Sequence, residues 1–366
     1  MDKVHLLIIH PGFCIRAQKQ AEALLSKSIY KITIITDINK CGDALSDYLK
    51  NNTKVIPFNF HRNIFFRLKF RKMLAKIVNS VDIIHCHNEP NYHIVDTIKV
   101  CSGKIPIIYD IHDFTSMRSG RKSQNEKTAY EMSDVIIHVS TDFIYYGEKL
   151  YGKKPSQVIF SSPSKKYIVN NDRKHKSDQK EIHFVYQGGI FDPSWKGKKK
   201  YSYRNYCPIF TEILNEGHHI HIYTGVNKNR LPSYMILNDQ YNNFHFYGKL
   251  KYSDLLLEMS NYDFGLAGFN FNNIHSQSAK DYLNAAMGNK MFDYLFSGLP
   301  VITFNADAMS NFVKSNNCGF EKKEGITWSH LAHQSINKLE INKVANKYCM
   351  ENQISVLTKI YENLLN

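Results

Sequence analysis

Apolar positions fall into two alternating patterns along the first half of the chain. Short runs rich in Val, Ile and Thr occupy residues 4–10, 31–36, 54–58, 81–87, 105–111 and 135–140. Between them lie longer stretches, 15–27 and 64–79 among them, in which apolar residues recur at helical spacing. β-Branched side chains suit a pleated surface, and runs without polar alternation mark strands buried on both faces. Such strands separated by helices predict a parallel sheet covered by helices on either side.

The pattern lapses over residues 161–180, where Ser, Asn, Asp, Lys and His predominate, and this predicts a linker. A second series follows, with strands expected at 182–186, 219–223, 243–247, 262–267 and 300–304 and helices at 253–260 and 282–297. Residues 339–365 read as one or two further helices. The reading is an α/β chain with an N-terminal domain over 1–162, a linker over 163–180, a C-terminal domain over 181–340 and a helical tail over 341–366. Paired domains of this kind take their ligand beyond the carboxyl ends of the strands, here in an expected cleft between them.

Composition narrows the setting. The 366 residues suffice for two domains with cores of their own. The apolar run Val4–Ile9 is too short for a secretion signal and no small-residue cleavage site follows it. No window reaches the roughly 18 uncharged apolar residues of a spanning helix, so a cytoplasmic location is expected. Seven scattered cysteines without a C-x-x-C pair agree with a reducing compartment. A net charge of +14 favours an anionic partner: nucleic acid, an anionic membrane surface or a phosphorylated substrate.

Familiar nucleotide signatures are missing. There is neither G-x-G-x-x-G nor a P-loop, which argues against a dehydrogenase or a P-loop enzyme. Asp263-Phe264-Gly265 spells a kinase triplet without the glycine-rich loop or H-R-D that would give it meaning. No D-x-D occurs to hold a diphosphate through a metal. His85, Cys86 and His87 offer metal-binding side chains, but on a strand Cys86 points away from the two histidines and no third ligand is evident. No metal site and no cofactor are expected.

The most informative wording is Gly288-Asn289-Lys290-Met291-Phe292-Asp293-Tyr294-Leu295-Phe296-Ser297-Gly298-Leu299-Pro300-Val301-Ile302. It reads as a helix closed by a glycine, then a buried strand opened by proline. Lys290 and Asp293, three apart, share a helical face. This stretch resembles the donor-site helix of GT-B glycosyltransferases, particularly those of glycosyltransferase family 4. The resemblance implies two Rossmann-like parallel-sheet domains facing a cleft, the GT-B architecture. It also implies that Asp293, where the family usually has Glu, anchors the ribose of a nucleotide sugar with Asn289 beside it. Tyr186-Gln187-Gly188-Gly189-Ile190 takes the place of the family's glycine loop, with Gly188 and Gly189 against the diphosphate and sugar. Arg204 and Lys290 become the diphosphate-neutralising, catalytic cations, with Lys196 a further candidate lysine. The loop holding Gly268 and Phe269 is expected to meet the donor sugar, although it lacks the acidic residue usual there.

In the first domain, Tyr109-Asp110-Ile111-His112-Asp113 ends a buried strand, and His112 resembles the family's active-site histidine, with Asp110 or Asp113 orienting its ring. Gly12, His87 and Asn88 are the acceptor-side candidates. Ser133–Ser140 is also similar to a common strand of the family. The implied reaction is retaining, metal-independent transfer of a sugar from a UDP- or GDP-sugar to a glycan or lipid-linked acceptor hydroxyl, in bacterial surface polysaccharide or glycolipid assembly. Alternatives are a nucleotide-sugar epimerase of the same fold and a catalytically silent binding protein.

Residues 62–77 carry Arg62, Arg67, Lys69, Arg71, Lys72 and Lys76 among aromatic and aliphatic side chains, without an acidic residue. A basic, apolar helix of this kind suits an anionic membrane surface, and peripheral attachment there is expected. No nucleic-acid-binding module is recognisable, so nucleic acid is not an expected partner.

Overall fold

A computed structural model describes residues 3–170, 181–195, 199–272, 274–334 and 336–366. The chain divides into two compact units, one of Met1–Ser164 with Met350–Asn366, the other of Lys165–Cys349.

Among the described residues the first unit holds seven parallel strands: β1 (Val4–Ile9), β2 (Tyr30–Thr36), β3 (Lys54–Pro57), β4 (Ile83–His87), β5 (Ile107–Ile111), β6 (Val135–His138) and β7 (Ser156–Val158). Their spatial order is β3-β2-β1-β4-β5-β6-β7. The chain first builds outward from β1, then returns to its other side with β4, so the direction of winding reverses between these two strands. Loops diverge at such a reversal, which leaves room for a ligand beyond the carboxyl ends of β1 and β4. The apolar runs of the sequence become this sheet because both faces are buried: Leu6, Ile8, Ile32, Ile34, Ile83, Ile108 and Ile137 form one core with the helix Ile15–Leu25.

The helix Met350–Leu365 belongs to this unit. Met350, Ile354, Leu357 and Tyr361 join the same core. The Tyr361 hydroxyl lies 2.7 Å from His85 Nδ1, and its ring stands edge-on to Tyr30. Gln353 Oε1 accepts the Phe160 backbone N–H at 3.1 Å. Helical spacing marks an apolar face but not what covers it, so the sequence alone assigned these residues to a tail after the second domain.

The second unit holds β8 (His183–Gln187), β9 (His219–Tyr223), β10 (Phe244–Tyr247), β11 (Phe264–Gly268), β12 (Val301–Phe304) and β13 (Gly319–Glu321). The order β10-β9-β8-β11-β12-β13 is again all parallel, with its reversal between β8 and β11. The single helix expected over 282–297 is two helices, Gln277–Ala285 and Asn289–Phe296. Gly288 is extended at the start of the second one, with no side chain to cap the helix. Gly298 ends that helix at φ +77°, a conformation glycine adopts without strain. Gly265 lets the helix lie close on β11, because a Cβ there would stand 2.2 Å from the Tyr294 ring.

Candidate active site

In the second unit the loops after β8 and β11 meet the start of the helix Asn289–Phe296. Gly188 turns the chain out of β8 at φ +120°, and a Cβ on it would lie 3.7 Å from Lys290 Nζ. A Cβ on Gly189 would lie 3.1 Å from Arg204 Nη1. The two glycines therefore place bare backbone directly beneath two cations. Lys290 Nζ donates to the Tyr186 hydroxyl at 2.7 Å and stands 3.9 Å from the centre of that ring, with the Tyr206 ring at 5.6 Å. Arg204 lies over Tyr203 at 5.4 Å and near Tyr201 at 5.9 Å.

Burial and then the nearby Arg204 charge push the Lys290 ammonium well below its usual range, with Asp293 offsetting this in part. Two cations held together on aromatic faces repel one another, and an anion between them relieves that cost. Asp293 is 6% exposed and firmly placed: its Oδ1 accepts the Tyr252 hydroxyl at 2.6 Å and its Oδ2 accepts Gln187 Nε2 at 2.9 Å. Asn289 is exposed at the first position of the helix.

Gly268 and Phe269 lie beside the Arg204 segment. The Tyr206 hydroxyl donates to Gly268 O at 2.9 Å, and the Phe269 ring meets Tyr203 edge-on at 5.6 Å. Buried Asn270 fastens this loop, donating to Asn205 O at 2.7 Å. Gly188, Gly189, Arg204, Lys290 and Asp293 are thus brought together, whereas Lys196 lies outside the described residues. Tyr186, Gln187 and Tyr252 were not foreseen. Their roles depend on contacts across 104, 106 and 41 positions of sequence, which no local wording conveys.

The first unit gathers a different set at the carboxyl ends of β1, β4 and β5. Asp110 is completely buried, and its Oδ1 accepts Arg16 Nε at 3.0 Å while its Oδ2 accepts Gln20 Nε2 at 3.0 Å. Burial opposes its charge, yet Arg16, a hydrogen bond from His85, and His87 and His112 hold the carboxyl well below the usual range. Asp110 Oδ1 lies 3.6 Å from His112 Nε2, which is also 2.9 Å from His87 Nδ1. Of the two acids that the sequence offers to orient His112, Asp110 thus stands beside the ring, and Asp113 lies 3.5 Å from Arg118. Burial lowers the His112 imidazole to about 4, with Asp110 opposing the shift, so the ring is neutral near pH 7.

His87 and Asn88 are closed off from solvent, and both act on His112. Asn88 Oδ1 accepts the His112 backbone N–H at 2.7 Å and its amide donates to Asp113 O at 2.6 Å. Gly12 lies on the loop after β1, where a Cβ would only graze Lys40 at 3.7 Å. Its acceptor role rests on position alone.

Solved structures of known proteins share this architecture. A sucrose-phosphate synthase from Thermosynechococcus elongatus superposes with a TM-score of 0.71 over 99% of each chain, at 12% identity. A glycosyltransferase from Rickettsia africae gives 0.67 over the whole of both chains at 15% identity. A lipopolysaccharide outer core galactosyltransferase gives 0.67 at 12% identity, over 98% of this chain and 99% of its own. The chain has the GT-B fold. Residues 208–323 of this GT-B protein match the family model described as "Glucosyltransferase 3-like, C-terminal domain". That span includes Gly268, Phe269, Asn289, Lys290 and Asp293, and begins beyond Gly188, Gly189 and Arg204. Among curated proteins, none matches the chain.

Proposed function

We propose that this GT-B protein transfers a sugar from a nucleoside diphosphate sugar to an acceptor hydroxyl. The observation that carries the reading is the convergence of Arg204 and Lys290 over the bare backbone of Gly188 and Gly189, one helical turn from the fixed carboxylate of Asp293. A diphosphate needs paired cations and close backbone approach, and a ribose needs a hydrogen-bond acceptor at a set distance from them. The family model over residues 208–323 supports the same assignment.

In this reading Arg204 and Lys290 stabilise the charge that grows on the leaving diphosphate, the role a metal takes elsewhere. Lys290 gains most, because the arriving anion restores the ammonium that burial and Arg204 disfavour. Asp293 receives the ribose hydroxyls while Tyr252 and Gln187 keep its carboxylate from turning. His112 is assigned to the reacting sugar and Gly12 to the acceptor side. Retention at the anomeric carbon, a UDP- or GDP-linked donor, and a glycan or lipid-linked acceptor of bacterial surface polysaccharide follow from the resemblance to family 4.

Calorimetric titration with UDP and GDP, paired with a panel of nucleotide sugars assayed for released nucleotide, tests the proposal. Asp293→Ala removes two charge-assisted hydrogen bonds of about 1.5–3 kcal/mol each and is expected to weaken nucleotide binding at least tenfold. Unchanged affinity would remove Asp293 from the ribose role. A panel showing neither binding nor turnover sinks the reading as a whole. An epimerised nucleotide sugar formed without acceptor would favour the epimerase, and binding without turnover the silent protein.

A further inference from the structure

Three groups of side chains among the described residues bring metal-binding atoms within 4.8 Å of one another. Two of them are poor hosts. In the group of His183, His219 and His221, His183 Nδ1 is already 2.8 Å from His221 Nε2, and the two nitrogens of His219 meet His245 and Glu181 at 3.0 and 3.1 Å. In the group of His85, His87 and Asp110, the carboxylate is taken up by Arg16 and Gln20, and His85 Nδ1 by Tyr361.

The third group is built differently. His10 follows β1, Cys14 starts the helix Ile15–Leu25, and His112 follows β5. The His10 and His112 rings are edge-on, 5.4 Å apart at 87°, and one nitrogen of each lies within 4.8 Å of the other and of Cys14 Sγ. Cys14 Sγ stands 3.7 Å from His112 Nδ1. Zn–N bonds of about 2.0–2.1 Å and a Zn–S bond of about 2.3 Å, set at tetrahedral angles, require an S···N edge of about 3.6 Å. His10 is 4% exposed, and its Nδ1 is buried with no hydrogen-bond partner among the described residues, an arrangement that costs energy unless something binds it. Behind His112, its Nε2 meets His87 and Asp110, the outer carboxylate–imidazole support that fixes the tautomer of a ligating histidine. His112 and Cys14 are partly exposed, which leaves an entry path.

We propose that His10, Cys14 and His112 bind one zinc ion through two imidazoles and a thiolate, with the fourth position open to water. Binding displaces the Cys14 proton and ties the loop after β1 to the end of β5. It also occupies His112 Nδ1, so the ion governs whether that ring is available. The assignment shares His112 with the proposed function but rests on no residue of the second unit, and its test uses no nucleotide sugar.

Full-length protein freed of metal by chelation is titrated with Co²⁺ as the probe and then with Zn²⁺. The expected result is one equivalent of cobalt giving tetrahedral visible bands and a near-ultraviolet thiolate-to-cobalt band, both displaced by zinc. Cys14→Ser should abolish the thiolate band and weaken binding at least tenfold, and His10→Gln should weaken it similarly. His219→Ala should leave the titration unchanged. Circular dichroism of each variant separates lost binding from lost folding, and the wild-type cobalt spectrum stands without any variant. Absence of a thiolate band in the wild type, or its persistence in Cys14→Ser, overturns the proposal. So does its loss in His219→Ala.

Discussion

His138 ends β6 with both ring nitrogens buried and without a hydrogen-bond partner among the described residues. Its ring stacks on Phe114 at 5.9 Å and leans on Tyr130 at 6.2 Å. Burial pushes the imidazole down to about 3, well below the roughly 6.5 of an unfolded chain. A group depressed in this way contributes its stability in full above the unfolded value. That contribution is lost as pH falls from about 6.5 toward 3. The slope is about 1.4 kcal/mol per pH unit, so roughly 2 kcal/mol is gone by pH 5. His138→Leu should flatten the acid limb of a plot of urea stability against pH, and an unaltered limb would remove His138 from the account. The same contrast governs what sequence could reveal of individual residues. Lys290 and Asp293 were legible because one helical turn sets their relation. Gln187 and Tyr252 were not, because partners on separate strands and helices define them.

At the scale of elements, the helix Ile64–Ala75 shows how structure revises a charge pattern. Arg67 grips the buried Asp96 carboxylate at 2.8 and 2.9 Å, and Arg71 binds the same group, so two of its cations turn inward and share one negative charge. Phe70 and Leu74 face the core. The outward face keeps Ile64, Phe65 and Leu68, 60%, 69% and 47% exposed, next to Lys69, Lys72 and Lys76. No helix among the described residues is long and apolar enough to cross a membrane. Apolar side chains rimmed by lysines nonetheless suit shallow insertion into an anionic surface. The double substitution Phe65→Ser with Leu68→Ser is expected to lower co-sedimentation with phosphatidylserine-containing vesicles at least tenfold. Equal recovery of the variant, or equal binding to neutral vesicles, dismisses the membrane assignment. Elsewhere the element pattern was readable from apolar runs, apart from the short edge strands β7 and β13 and the break at 286–288. Three-residue strands leave no periodicity to detect, and Gly288 interrupts a helix only because the chain turns extended there.

For the whole molecule, the decisive feature is the return of residues 350–366 to the first unit. Tyr361→Phe removes one buried hydrogen bond to His85 and should cost about 1 kcal/mol. Ending the chain after Cys349 strips Met350, Ile354, Leu357 and Tyr361 from the first core while leaving the second sheet intact. Thermal denaturation of that truncation is therefore expected to show early loss of the first unit and a preserved transition for the second. Coincident loss of both would mean that the two units do not unfold separately. The two-sheet plan itself was legible in the alternation of apolar runs, because burial on both faces leaves a continuous signature in each strand. The return was not, since an amphipathic stretch has no address.

The same closure sets an order of events during synthesis. A ribosome makes the seven strands of the first sheet, then the entire second unit, and only afterwards the helix that finishes the first core. The unit begun first is completed last. Until residue 361 has left the exit tunnel, Tyr30 and His85 lack their Tyr361 contact. A nascent chain that has emerged only as far as residue 349 should therefore present a folded second unit and a first unit still open to chaperones and proteases.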